Sequence, residues 1–426
     1  MHLLPGASVC AYGQQVWTLE QIYAAADANA VSLRPSATAV RAAAHEVSVA
    51  RAQRLPEIDA SLSVGYLGDG FTVKRDFSDY QVARNPHLAT GLGLTVTQPL
   101  YTGGAITGGI RMARLKSEAS RYAEELHRDN LRLTLTGFYL DLYKYDNLLR
   151  VVDANIASAR KVLSNMRDRY AEGTALRNDI TRYELLVSNL ELQKTKIANT
   201  VDILNHNLVE TAGLPEGTVV VPDSAILDRA MPADSENDWQ RTALLSSPAL
   251  ALSRTEQDIQ STAETLTRSE RLPKIGIQAG WTMDGPITVE VPPINRNLSY
   301  WWAGVSVSYN LSSLYKTNKK MTAVRLAVEK ARQETEAAEQ NTSLAVRTAY
   351  IRYREAYEDL ATSTKSVELA LNNYNVISTR FDEGMALITD MLDAASARLD
   401  AEQTLINSRI NIIYCYYKLL FISGKI

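Results

Sequence analysis

Arg169-Tyr170-Ala171-Glu172-Gly173-Thr174-Ala175-Leu176 recurs as Arg380-Phe381-Asp382-Glu383-Gly384-Met385-Ala386-Leu387. The offset, 380 minus 169, is 211 residues. Upstream of the first copy, Val152, Ile156, Ala159, Leu163, Met166 and Tyr170 alternate steps of four and three. Downstream, Leu176, Ile180, Tyr183, Val187, Leu190, Lys194, Ile197, Val201, Leu204 and Leu208 resume the pattern, broken only at Lys194. Steps of three and four place apolar side chains along one seam of a helix, the mark of a coiled coil. Glycine readily takes the left-handed backbone that ends a helix, so each copy predicts a helical hairpin, turning near 173 and near 384. No proline occurs from Leu100 to Leu214 or after Pro293, so nothing in these stretches interrupts a helix. Ala113 to Glu172 alone would run on the order of 90 Å as a helix, too long for a compact domain.

The same offset links other pairs. Gly93-Leu94-Thr95-Val96-Thr97 matches Gly304-Val305-Ser306-Val307-Ser308, Arg114-Leu115 matches Arg325-Leu326, Tyr139 matches Tyr350, and Gly213 matches Gly424. Further upstream, Arg54-Leu55-Pro56 matches Arg271-Leu272-Pro273 at an offset of 217. The difference lies between the paired strands, so the first hairpin loop is the longer. The chain is an internal tandem duplication, with repeats over 16–213 and 239–426 and a linker over 214–238. Each repeat reads helix, strand, loop, strand, long helix, turn, return helix. This order predicts strands at one end of the molecule and Glu-Gly turns at the other. The linker, with Pro215, Pro222 and Pro232, reads as an irregular belt partway down the helices.

Four segments, at about 57–67, 90–101, 274–284 and 300–311, alternate with period two. Ile58, Ala60, Leu62, Val64 and Tyr66 interleave with Asp59, Ser61, Ser63 and Gly65. Leu92, Leu94 and Val96 interleave with Gly93, Thr95 and Thr97. Ile275, Ile277, Ala279, Trp281 and Met283 interleave with Gly276, Gln278, Gly280 and Thr282, and Trp301, Ala303, Val305, Val307 and Tyr309 with Trp302, Gly304, Ser306 and Ser308. Such strands have one apolar and one polar face. About ten residues is the length that crosses a bilayer while tilted. The aromatics Tyr66, Tyr101, Trp281, Tyr300, Trp301 and Tyr309 fit a membrane-interface girdle. Alternation alone equally fits a sandwich with one dry face. Four strands cannot close a barrel. Either they pack on something soluble, or several chains share one barrel.

Composition narrows the function. The chain has 426 residues, 46% hydrophobic and 22% charged, which excludes wholesale disorder. No apolar run reaches the 18 residues of a membrane helix. A net charge of -3 provides no basic footprint for nucleic acid. Two cysteines, Cys10 and Cys415, exclude a disulfide framework or zinc ribbon. The five histidines form no HExxH, and P-loop, GxSxG and GxGxxG motifs are also missing. An enzyme and a bound cofactor are therefore not expected. Tyrosine reaches 21 against five phenylalanines, which suits helix walls between water and packed interior. Residues 1–15, with Leu3, Leu4, Ala7, Val9 and Ala11, read as a signal-peptide remnant, in which Cys10 is a poor fit to a lipidation site.

The arrangement resembles the outer membrane efflux family of TolC-type channel-tunnels. The resemblance rests on Arg54-Leu55-Pro56 before a strand, on Thr97-Gln98-Pro99-Leu100-Tyr101 leading into Gly103-Gly104, and on the Glu-Gly turns. It spans nearly the whole chain. It implies an α+β fold in which a long antiparallel α-helical coiled-coil barrel continues into a transmembrane β-barrel, four strands per chain and twelve-stranded in a homotrimer. It implies a location in the outer membrane with a periplasmic tunnel. The function implied is a passive exit duct for efflux or type I secretion, served by a periplasmic adaptor and an inner-membrane pump, either proton-driven or ABC-type, and set in outer-membrane lipid. The family's constriction carries Asp-x-x-Asp just after the second turn, where Asp390 and Asp393 stand here. Their spacing places both on one helix face. In a trimer they would form two stacked carboxylate rings that attract and bind polyvalent cations. A solvated helix face is the other reading of the pair. The first repeat has Asp179 and Arg182 at these places. Some members latch the tip with a Tyr and an Arg, for which this chain has Phe381 and Ala386, leaving Arg380, Glu383 and Arg182 as candidates by position. Beside the turns, Gly173, Thr174, Ala175, Leu176, Gly384, Met385, Ala386 and Leu387 are small or apolar, which fits an adaptor contact or the start of the return seam. The competing function is a soluble or lipid-anchored periplasmic coiled-coil adaptor with no channel of its own.

Overall fold

The computed structural model describes residues 15–227, 234–290 and 293–426; residues 1–14, and with them the signal remnant and Cys10, lie outside it. In chain order the first half holds β1 (Gln15–Trp17), α1 (Leu19–Asn29), α2 (Arg34–Ala52), β2 (Glu57–Tyr66), β3 (Gly70–Thr72), β4 (Gln81–Ala83), β5 (Leu88–Tyr101), α3 (Ala105–Ala171) and α4 (Arg177–Ala212). The second half holds β6 (Val220–Pro222), α5 (Glu236–Ser246), α6 (Pro248–Ser269), β7 (Lys274–Gly285), β8 (Leu298–Ser308), α7 (Ser313–Asp382) and α8 (Ile388–Ile422). The helix preceding each strand pair is two helices, not the single one expected. Pro35 lies in the first turn of α2 and Pro248 is the first residue of α6. Proline is tolerated there because a first-turn N–H has no intrahelical partner, and it cannot continue a preceding helix. The preceding short helices are capped alike, Thr18 in a reciprocal box with Gln21 and Ser235 accepting from the Asp238 N–H.

The chain divides into two compact units, each drawn from both halves of the sequence. One contains residues up to 38, 122–252 and 336–426. Its larger core joins Leu135, Tyr139 and Leu140 of α3 with Ile22 of α1, Leu208 of α4, Ala356 of α7 and Leu419 of α8. The second cluster is the seam read from the sequence: Val152, Ile156, Ala159, Leu163 and Met166 against Ile180, Tyr183, Val187, Leu190 and Ile197. Lys194, the interruption, sits on the rim and pairs with Asp153 at 2.7 Å. Tyr170 and Leu176 are exposed, so the seam ends short of the turn.

The linker is more ordered than expected. β6 pairs in parallel with β1, which takes Gln15 into the folded chain rather than the remnant. The Tyr139 hydroxyl donates to the Trp17 carbonyl (2.8 Å) and accepts the Asp223 N–H (2.7 Å), fastening both strands to α3. Asn205 of α4 donates to the Thr218 carbonyl and accepts the Val220 N–H, each at 2.9 Å. Pro232 lies outside the described residues. Close by on α3, Arg132 donates to Asp27 (2.5 Å) and to the Ile426 carbonyl (3.0 Å), and Arg128 to Glu124 (2.5 Å).

The other unit contains residues 39–121 and 253–335. Its centre is an antiparallel sheet in the order β2-β5-β7-β8. The loop between β2 and β5 carries its own small hairpin, β3 with β4.

Candidate functional sites in the sheet and at the hairpin turns

Strand register assigns the faces. Ile58, Leu62 and Ala60 pair with Val96, Leu92 and Leu94. These pair onward with Ala279, Met283 and Trp281, and Ala279 and Trp281 with Ala303 and Trp301. One side of the sheet is therefore a continuous apolar surface, because alternate residues share a face. No layer of the described residues covers it: Leu62 is 73% exposed, Val305 69% and Trp301 77%. Neither β2 nor β8 has a partner on its outer edge within the described chain. A bare apolar face with two open edges is untenable in water, where it invites aggregation. Among the described residues no helix is long and apolar enough to cross a membrane.

Five of the six expected girdle aromatics share the apolar face. Tyr66 pairs with Leu88 and Trp281 with Trp301 towards the loop ends of their strands. Tyr101 reaches that face only because a bulge between Pro99 and Tyr101 resets the register, setting it opposite Ile275. Tyr309 directly follows β8 with the parity of Val307. Tyr300 lies on the other side of the sheet. It pairs with Thr282 on the polar face, since a one-residue step reverses the side of the sheet.

At the hairpin turns the two copies have the same geometry. Gly173 and Gly384 both have φ near +78, where a β-carbon is strained. The next N–H reaches back in each, Thr174 to the Arg169 carbonyl (2.8 Å) and Met385 to Arg380 (2.7 Å). Leu176, Met385 and Leu387 are exposed, while Ala175 and Ala386 are half-buried. Asp390 and Asp393 are both exposed on the first turns of α8, held by the buried Ile388 and Met391. Asp390 has a local role as well: its carboxylate accepts the Leu387 N–H at 3.1 Å, capping the helix.

Sequence reasoning missed the residue that joins the two turns. Arg169 donates from Nη1 to the Phe381 carbonyl at 2.9 Å, and its guanidinium lies 5.6 Å from the Phe381 ring centre. Arg380, Glu383 and Arg182 are exposed. Arg169 lies inside the repeated octapeptide, but its matching partner, Arg380, faces outwards, and duplication alone could not distinguish them. Deeper in the hairpins, Asn155 of α3 donates to Glu402 of α8 (3.0 Å), which also accepts from Arg398 (2.9 Å). No group of three or more metal-ligating residues is found among the described residues of the single chain.

The fold is that of the outer-membrane channels. It resembles the outer-membrane channel OprN with a TM-score of 0.80, at 15% identity, over 96% of this chain and 90% of that one. It resembles the outer membrane protein VceC of Vibrio cholerae equally, with a TM-score of 0.80, at 13% identity, over 95% and 96%. The sequence narrows this class to a family. The outer membrane efflux protein model matches residues 22–213 and 239–416, and the chain belongs to that family. Among its relatives, outer membrane protein TolC of Vibrio cholerae serotype O1 is 23% identical over 96% of this chain and 92% of its own. The pyoverdine export outer membrane protein OpmQ of Pseudomonas putida is 24% identical over 62% and 56%. The protein is an outer-membrane exit duct of efflux systems, and the adaptor alternative falls with that assignment.

Proposed function

We propose that three copies of this chain close one twelve-stranded barrel, each supplying β2, β5, β7 and β8, and that their helices enclose the duct below it. The observation that carries this is the four-stranded sheet with both edges open and its apolar face bare. Copies related by a threefold axis would satisfy β2 of one with β8 of the next, and lipid would cover the apolar face. The helices support the same assembly: α2 has no buried residue, and Leu326, Leu344 and Ile351 of α7 are exposed. The two repeats, 16–213 and 239–426, would then alternate around the ring, with 214–238 between them.

Asp390 and Asp393 form the constriction in this reading, as two carboxylate rings on the first turns of α8. The exposed Leu176, Met385 and Leu387 at the turns are the contact for a periplasmic adaptor, which links the duct to an inner-membrane pump. The duct performs no catalysis, and energy enters at the pump. Detergent-purified protein tests the assembly. A protein mass near three times 47.1 kDa by light scattering, with discrete conductance in planar bilayers, is the expected result. A monomer without conductance refutes it.

A further inference from the structure

The polar face of the sheet has an organisation that the apolar face does not explain. Register arranges it in rows. One row runs Asp59, Thr95, Gly280, Trp302, the next Ser61, Gly93, Thr282, Tyr300, and the third Ser63, Gly91, Asp284, Leu298. Glycines clear its middle, and neighbouring side chains fold into the space. A β-carbon on Gly280 would lie 2.7 Å from Cε2 and Nε1 of Trp302, so the indole lies across the β7 backbone. One on Gly91 would lie 2.6 Å from Ser63 Oγ and 2.9 Å from Asp284 Oδ1, and one on Gly93 2.6 Å from Ser61 Oγ. Thr282, between them, has a buried hydroxyl with no hydrogen-bond partner among the described residues. The charges are one-sided: Glu57, Asp59 and Asp284 against a single Lys274, which pairs with Ser308 at the helix end of the strand. A solute on the β8 side of this face meets two aromatic rings, the Thr282 hydroxyl and the Asp284 carboxylate on the adjoining strand.

From this geometry we propose that the polar face carries a transit subsite for aromatic organic cations, with Trp302 and Tyr300 as the ring platform and Asp284, on the adjoining strand, as the counter-charge, while Asp59 lies across the sheet on β2. Charge complementarity selects the occupant. Carboxylates repel an anion, and an indole or phenol face attracts a cation by its quadrupole while stacking on an aromatic body. A small inorganic cation meets only the carboxylates. The subsite rests on the barrel reading, in which this face lines the lumen.

The test is block of single-channel current by N-methylquinolinium in planar bilayers, with tetramethylammonium and naphthalenesulfonate as probes lacking the ring and the positive charge. In the wild type N-methylquinolinium should block most strongly of the three. Trp302→Ala should weaken that block by about fivefold or more, Asp284→Asn should weaken it less, and Trp302→Phe should retain most of it. Equal block in wild type and Trp302→Ala, or equal block by the anion, overturns the subsite and leaves the duct standing. Absence of any conductance in the wild type overturns the barrel reading and the subsite with it.

Discussion

Asp129 of α3 is 8% exposed beside a crowd of charges. Burial pushes its carboxyl up to about 6, against the pull of Arg132 and Arg128, with Glu125 and Asp27 pushing the same way as burial. The folded chain thus holds this proton more tightly than the unfolded chain. A raised carboxylate costs stability as pH rises from its unfolded value through about 6, and the cost is absent below both. Asp129→Asn removes the penalty. Its melting temperature should exceed that of the wild type at pH 7.5, and the gap should close near pH 4. A gap independent of pH would contradict this. Tyr139 is the hydroxyl on which the linker hangs, and burial drives it to about 12. Tyr139→Phe removes the shorter of the two hydrogen bonds of the Asp223 N–H, leaving it only the Trp17 carbonyl at 3.3 Å, and should cost about 1 kcal/mol in chemical denaturation. The carboxylates at the turn are predicted to act differently. Asp390→Ala with Asp393→Ala should raise bilayer conductance and weaken block by a trivalent cation. Unchanged conductance and block would remove them from the gate, and Asp390 would be left with its helix cap.

Among the elements, the two hairpins are near copies whose turns are joined by an asymmetric contact. Arg169 binds the Phe381 carbonyl and ring, whereas Arg380, its equivalent, is exposed. Arg169→Ala should speed amide hydrogen exchange across 380–387, with little change in the buried seam at Val152 and Ile156. Equal protection in both proteins would show that the turns are held by something else. The sheet likewise uses its residues in ways composition does not show. Trp301 and Trp302 are neighbours of the same type, yet the first faces the apolar surface and the second lies across Gly280 on the polar one. Residue type suggested a girdle; register sorted it, including the displacement of Tyr300.

At the scale of the molecule, exposure on a single chain is the signal for its environment. β2 is exposed along its whole length although five of its ten residues are apolar or aromatic. Interrupting either open edge should therefore stop assembly rather than folding of the helices. A proline at Leu62 or Val305 removes a ladder donor. It should leave the helical circular dichroism in place while abolishing the trimer in light scattering. A trimer that survives both substitutions would mean that the strands do not join copies.

The sequence determined the helices, the hairpin turns and the strands, because each follows from local physics: a seam every three or four residues, glycine where the chain reverses, and alternation with period two. It also determined the family, through the order and repetition of those signals. It left Asp390, Leu176 and Met385 readable only as exposed residues of a suggestive type. Tertiary structure decided what depends on distant pairings. The bulge after Pro99 carried Tyr101 to the apolar face, the β1–β6 pairing turned an expected irregular linker into a small sheet, and Arg169 found a carbonyl more than two hundred residues away. Such contacts are set by register and packing between segments remote in the chain, and no local pattern encodes them.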